Sequence, residues 1–209
     1  SPVSRLVVDM ERFADDKQEV MSKVGMGVIY TNGSQKQVIR SKLEDNERAA
    51  LLSNYYLPHH NDLIDNTHTT LEKCGKVWIF DIHSYPSKAL PYELDAGQIR
   101  PEICIGTDEY HTPITLTESA ENAFKAKGFT CALNSPFAGT LILSPFWKNN
   151  ENVMGLMIEI RRDLYMNEPK FQLRDSSKLV RRAICDAILD ITHSLTDIKR
   201  DEKIWLTKA

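Results

Sequence analysis

The tetrapeptide Asp-Ile-His-Ser, residues 81–84, closes an apolar run at "VWIF". A strand that ends in an imidazole two places after a carboxylate can present a metal ligand. Asp81 would then be the group that orients the His83 ring. The bland alternative is a hydrogen-bonded strand-end histidine with no ligand. Glu159 stands inside a second apolar run, "GLMIEI", between Ile158 and Ile160. A carboxylate in that setting needs a partner, because burying an unpaired charge is costly. Two roles stay open for it: an ion pair with an arginine that follows it, or a base that moves a proton during catalysis.

In open α/β sheets the functional crevice lies outside the carboxyl ends of the strands. Four apolar segments here end in polar residues. "RLVVD" ends at Asp9, with Glu11 and Arg12 after it. "VWIFDIHS" ends at His83 and Ser84. "FTCALN" ends at Asn134, and "GLMIEI" is followed by Arg161 and Arg162. If these strands are neighbours, a histidine, a carboxylate, an amide and several arginines converge. The other histidines fit a site less well. His59 and His60 are adjacent and diverge on a helix, His111 lies in a loop near Asp108 and Glu109, and His68 and His193 fall in helical stretches that face solvent. None has HExxH spacing.

The elements that must position these groups can be read from pattern. "SRLVVDM" and "GMGVIYT" predict short strands, followed by a turn at Asn32-Gly33. "LEDNERAALLSNYY" predicts a helix capped by Asp45 and broken or kinked at Pro58. A second helix then runs to Gly75. Strands follow at "VWIFDIHS", "EICIGT", "FTCALN" and "VMGLMIEI", with an edge strand in "GTLIL". Helices open near Thr117 and in "DSSKLVRRAICDAILDITHSL". Strands alternate with helices through the second half, so the expected class is α/β: a mixed, mostly parallel sheet flanked by helices. With no repeat and no linker, residues 1–209 read as one domain.

The totals narrow the function classes. With 209 residues, 42 % hydrophobic and 26 % charged, the chain has the composition of a globular protein with a sizeable core. A net charge of −3 and no basic stripe argue against nucleic acid. No apolar run approaches the ~20 residues of a membrane span, and the first residues carry no signal peptide pattern. Cys74, Cys104, Cys131 and Cys185 form no CxxC pair. The expectation is reduced, mostly buried cysteines in a cytoplasmic protein. The oligomeric state is not readable.

"SRLVVDMERF", "DIHS", "ICIGTDEYHTP", "NSPFAGT" and "LMIEIRRDLYMNE" occur in this order. Together they resemble the N-formylglutamate amidohydrolase family along essentially the whole chain. The resemblance implies a phosphorylase/hydrolase-like fold and a zinc-dependent enzyme. Such an enzyme cleaves the amide of N-formylglutamate, a small N-acyl amino acid, to formate and glutamate late in one route of histidine breakdown. It further implies Zn2+ held by two histidines and a glutamate, with His83 as the last ligand and Glu159 as the carboxylate that handles the water proton. Arg5, Arg12 and Arg162 become substrate-binding candidates, and Asn134 a hydrogen-bonding one. Two positions depart from the family's commoner residues: Glu11 stands where Asn is usual before Arg12, and Arg161 stands where Asn is usual before Arg162. The family's first two zinc ligands precede "SRLVVD" and have no counterpart in these 209 residues. The expectation is therefore a chain without the family's N-terminal part. Alternatives are a zinc deacylase or carboxypeptidase-like enzyme on another N-acyl amino acid or small peptide, and a metal-free, non-enzymatic binding domain.

Overall fold

The computed structural model describes residues 3–93, 95 and 97–196. The chain divides into two compact units: residues 1–72 with 89–96, and residues 73–88 with 97–209.

In the first unit, α1 (Asp45–Leu51) and α2 (Leu57–Cys74) are joined by a π-helical turn, Leu52–Tyr56. The cap falls one residue before the expected Asp45. Glu44 and Glu47 form a reciprocal capping box, each side chain bonded to the other's backbone. Pro58 does not break the helix. The wider turn before it, in which the Leu57 N–H reaches the Leu52 carbonyl, precedes the one residue that has no N–H to give. Gly75 ends α2 with φ +71°, as its residue type predicts.

The two strands expected in this unit do not form. Residues 4–10 and 25–31 are turns and bends, linked through the backbone by the Asp9 N–H, which donates to the Val28 carbonyl at 2.8 Å. Their apolar runs are short and broken by Gly25 and Gly27, so Val8, Met10 and Val28 are buried as loop residues against Leu51, Leu52 and Tyr56. The Asn32-Gly33 turn is present, closed by an isolated antiparallel bridge between Asn32 and Val38.

The second unit is built on a sheet of β1 (Val77–Tyr85), β2 (Ile103–Gly106), β3 (Cys131–Leu133) and β4 (Val153–Arg161), in the order β1-β4-β2-β3. The β1–β4 and β2–β3 pairs are parallel and β2–β4 is antiparallel. This is the mixed, mostly parallel sheet expected from the sequence. The "GTLIL" segment does not join it and stays irregular.

Side chains alternate between the two faces of a strand, so the sheet sorts its own residues. One face carries Ile103, Ile105, Met154, Leu156 and Ile158. They are buried against α3 (Ile114–Ala126) and α4 (Ser177–Thr196) through Leu116, Ala120, Phe124, Ile184, Ala187 and Ile191. Each large side chain fully buried there contributes roughly 1.5–3 kcal/mol. The opposite face carries Asp81, His83 and Tyr85 on β1, Met157, Glu159 and Arg161 on β4, and Cys104 on β2. The apolar face holds the sheet on its helices and leaves the polar face to chemistry. A shorter hairpin, β5 (Met166–Asn167) and β6 (Gln172–Leu173), follows β4.

His111 is fully buried and both its ring nitrogens are engaged. Nε2 accepts the Lys148 N–H at 2.9 Å, so Nδ1 donates to the Val153 carbonyl at 2.7 Å. It anchors the approach to β4. The cysteines are unpaired, but only Cys104 is buried. Cys131 is half-buried, and Cys74 and Cys185 are exposed because they fall on the solvent sides of α2 and α4. Among the described residues no helix is long and apolar enough to cross a membrane.

Candidate functional site

His83 and Glu159 are direct partners in the parallel β1–β4 register, so their side chains stand side by side on the polar face of the sheet. Asp81, one pleat earlier on the same face, lies with Oδ1 2.7 Å from His83 Nε2. That contact orients the ring, with Nε2 turned to the carboxylate. The histidine–carboxylate arrangement is the usual support of a metal-bound imidazole. His83 and Asp81 thus offer donor atoms that fit part of a metal site. Glu159 is half-buried, and its Oε2 is shut off from solvent.

On β2, Cys104 faces Glu159 across the antiparallel pair. Burial pushes its thiol above the ordinary range, and its Sγ donates to the Phe137 carbonyl at 3.2 Å. It is a protonated structural thiol rather than a nucleophile. Residues 137–142 lie directly over this face. The Leu141 N–H donates to Asp81 Oδ2 at 3.3 Å. An added Cβ at Gly106 would meet the Gly139 carbonyl oxygen at 2.3 Å, and one at Gly155 would meet Ile142 Cδ1 at 2.6 Å. The sequence reading missed this overlay. Its signal is two glycines inside strands, a mark of close backbone approach.

Arg161 ends β4 and Arg162 follows it, and each has partners of its own. Arg161 donates through Nε to Asp163 at 2.7 Å and through Nη1 to the Arg100 carbonyl at 2.6 Å. Arg162 grips Ser84 through Nε to the hydroxyl at 3.2 Å and Nη2 to the carbonyl at 2.8 Å. Among the described residues no carboxylate pairs with Arg162, so a guanidinium charge is held in place at the rim where β1 and β4 end.

Asn134 is not brought to His83 and Glu159. Because β2 is antiparallel to β4, β3 also runs against β4 and leaves the sheet at its far edge. The Asn134 amide is clasped to Thr107, accepting its N–H at 2.9 Å and donating to its hydroxyl at 2.8 Å. Its φ of +51° is one that asparagine tolerates better than most residues.

Arg5 and Arg12, in the first unit, gather on buried Asp9. Arg5 Nε and Nη2 lie 3.1 and 2.8 Å from Asp9 Oδ2. Arg12 makes longer contacts, 3.5 Å to Asp9 and 3.7 Å to Glu19. Tyr30 donates to Asp9 at 2.6 Å. His60 donates to the Met10 carbonyl at 2.9 Å and stacks on Tyr56, and burial pushes its pKa below the ordinary range.

Burial, reinforced by the Asp9 charge, pushes the Tyr30 hydroxyl up to about 12. An unfolded tyrosine ionises near 10, by the ordinary value of about 10. Between these values the unfolded state binds fewer protons than the folded state, so stability falls as pH rises. Denaturant midpoints measured across this alkaline range should decline in the wild type. They should decline less steeply in Tyr30→Phe, which is also weaker at neutral pH by about 1.5–3 kcal/mol for the lost bond to a charged acceptor. An identical alkaline decline in both proteins would remove Tyr30 as its source.

A mixed α/β sheet here presents a carboxylate-held histidine beside a glutamate at its strand ends, a hydrolase-like arrangement. The N-formylglutamate amidohydrolase family model matches residues 1–166, and the chain belongs to that family. Family membership supports hydrolase activity. No curated protein sequence matches the chain significantly. The fold is shared with the crystal structure of an N-formylglutamate amidohydrolase from Ralstonia eutropha, with a TM-score of 0.77 and 24% identity, over 92% of this chain and 74% of that one. It is also shared with a gene product from Agrobacterium tumefaciens, with a TM-score of 0.62 and 21% identity, over 92% of this chain and 68% of the other.

Proposed function

We propose that this chain carries the catalytic glutamate and one metal ligand of an enzyme that hydrolyses N-formyl-L-glutamate to formate and glutamate. In this reading the reaction is a late step of one route of histidine breakdown, in the cytoplasm. The observation that carries the proposal is the His83–Glu159 pairing on the polar face, with Asp81 on the imidazole. His83 would help to hold a zinc ion, which when bound would supply Lewis acidity and lower the pKa of water.

Glu159 takes a proton from the attacking water as the O–C bond to the formyl carbon forms. It then delivers that proton to the leaving nitrogen as the C–N bond breaks. No nucleophilic side chain is needed, and the buried Cys104 thiol does not supply one. Arg162 offers a cation whose orientation Ser84 fixes, suited to a substrate carboxylate. Arg5 and Arg12 are further candidates for that role, and within the first unit both contact Asp9.

The test is formate or acetate release by the zinc-loaded protein from N-formyl-L-glutamate, N-acetyl-L-glutamate and N-formyl-L-aspartate. The first is expected to be turned over best. A preference for the acetyl compound would replace this reading with a deacylase. On the preferred substrate, Arg162→Ala should lower kcat/KM by the worth of a charge-assisted hydrogen bond, roughly 1.5–3 kcal/mol. Arg162→Lys should restore only part, because the fork is lost. Unchanged kinetics in Arg162→Ala would take this residue out of the site.

A further inference from the structure

Residues 137–142 touch the site without contributing a side chain to its chemistry. Three contacts fix them: the Cys104 thiol on the Phe137 carbonyl, the Leu141 N–H on Asp81 Oδ2, and the close approach over Gly106 and Gly155. The Asp81 carboxylate is thus held at both oxygens, by backbone on one and by His83 Nε2 on the other. A carboxylate with only the imidazole to bind could rotate about its side-chain torsions and let the ring turn. With the second oxygen tied to a backbone amide, its plane is set.

We propose that residues 137–142 are a positioning template, which sets the Asp81 carboxylate through the Leu141 amide and thereby fixes the tautomer and orientation of His83. Gly106 and Gly155 are required as glycine because only a bare backbone lets the template lie flat on the sheet. At Gly106 an added Cβ would meet both the Gly139 carbonyl oxygen at 2.3 Å and the Met157 Cε at 2.4 Å; the side-chain end can swing aside but the backbone oxygen cannot, so the template itself must lift. At Gly155 the nearest atoms are side-chain ends, Ile142 Cδ1 at 2.6 Å and Thr140 Cγ2 at 2.8 Å, and trimming these should relieve the clash. The proposal rests on the reading of His83 as a metal ligand, and its first readout is independent of turnover.

Nitrogen-15 spectra of the metal-free protein report which His83 nitrogen carries the proton. The wild type should show a single tautomer with the proton on Nε2. Gly106→Ala should show mixed tautomers, and its zinc affinity should fall about 10–100-fold, the usual cost of disturbing a group that orients a metal-bound histidine. Gly155→Ala should show the same change in milder form, reversed when Thr140→Ser and Ile142→Val are added. The reversal keeps the test decisive if Gly106→Ala does not fold. A folded Gly106→Ala or Gly155→Ala protein with the wild-type tautomer and zinc affinity would overturn the proposal. So would mixed tautomers in the wild type. If instead the tautomer responds as stated while Glu159→Gln retains full turnover, the template stands and the catalytic reading of Glu159 falls.

Discussion

Glu159→Gln should lose ~10²–10⁴-fold in kcat while melting normally and keeping its zinc. The substitution retains volume and a hydrogen-bonding end and removes only the base. The competing role, a structural ion pair with the arginines that follow β4, makes a different forecast. Breaking a buried pair would strand a cation and cost about 3–5 kcal/mol of stability. Glu159 stands beside His83 in register. Thermal melts and single-turnover rates on the same preparation separate the two roles. A variant that melts far earlier but keeps its activity per folded molecule would make Glu159 a structural residue.

Why the sheet strands of the second unit were legible in the sequence, while the strands expected in the first unit do not form, follows from how apolar residues are spaced. "VWIF" and "VMGLMIEI" are long enough to fill a strand buried on one face, and the polar residues that interrupt them all fall on the other face. The pairing of His83 with Glu159 needed one more fact, that β4 lies next to β1 although two other strands intervene in sequence. No local pattern carries that information. In the first unit, "RLVV" and "GMGVIY" have strand-like composition. Their glycines and short apolar runs nevertheless favour turns, and burial is reached against α1 and the π-turn instead. Asn134 failed to join the site for a topological reason. The rule that strand ends converge assumes parallel neighbours, and the antiparallel β2–β4 pair sends β3 the other way. Arg5 and Arg12 were legible as cations, but not as partners of Asp9, because the sequence gives no sign that Asp9 is almost wholly buried.

The metal prediction turns on the difference between a ligand and the group that orients it. Zinc binding can be measured directly by competition with a chromophoric chelator, on protein that also carries the family's two upstream ligands, so the result does not depend on knowing the substrate. If His83 Nδ1 is a ligand, His83→Ala removes one of the three protein donors that a catalytic zinc ordinarily has. Affinity should then drop by more than the ~10–100-fold expected for an outer group. Asp81→Asn should fall inside that range. The amide can still accept the Leu141 N–H or face the ring, but it no longer offers a charged acceptor to Nε2–H at 2.7 Å. Glu159→Gln, one strand over, should leave zinc affinity close to wild type, since a proton carrier beside the metal is not a donor to it. The three variants should therefore rank as His83→Ala far below Asp81→Asn, and Asp81→Asn below Glu159→Gln. Wild-type zinc affinity in His83→Ala would show that the imidazole is held by Asp81 for a structural purpose alone, and a loss in Glu159→Gln as large as in His83→Ala would move the glutamate from proton carrier to ligand.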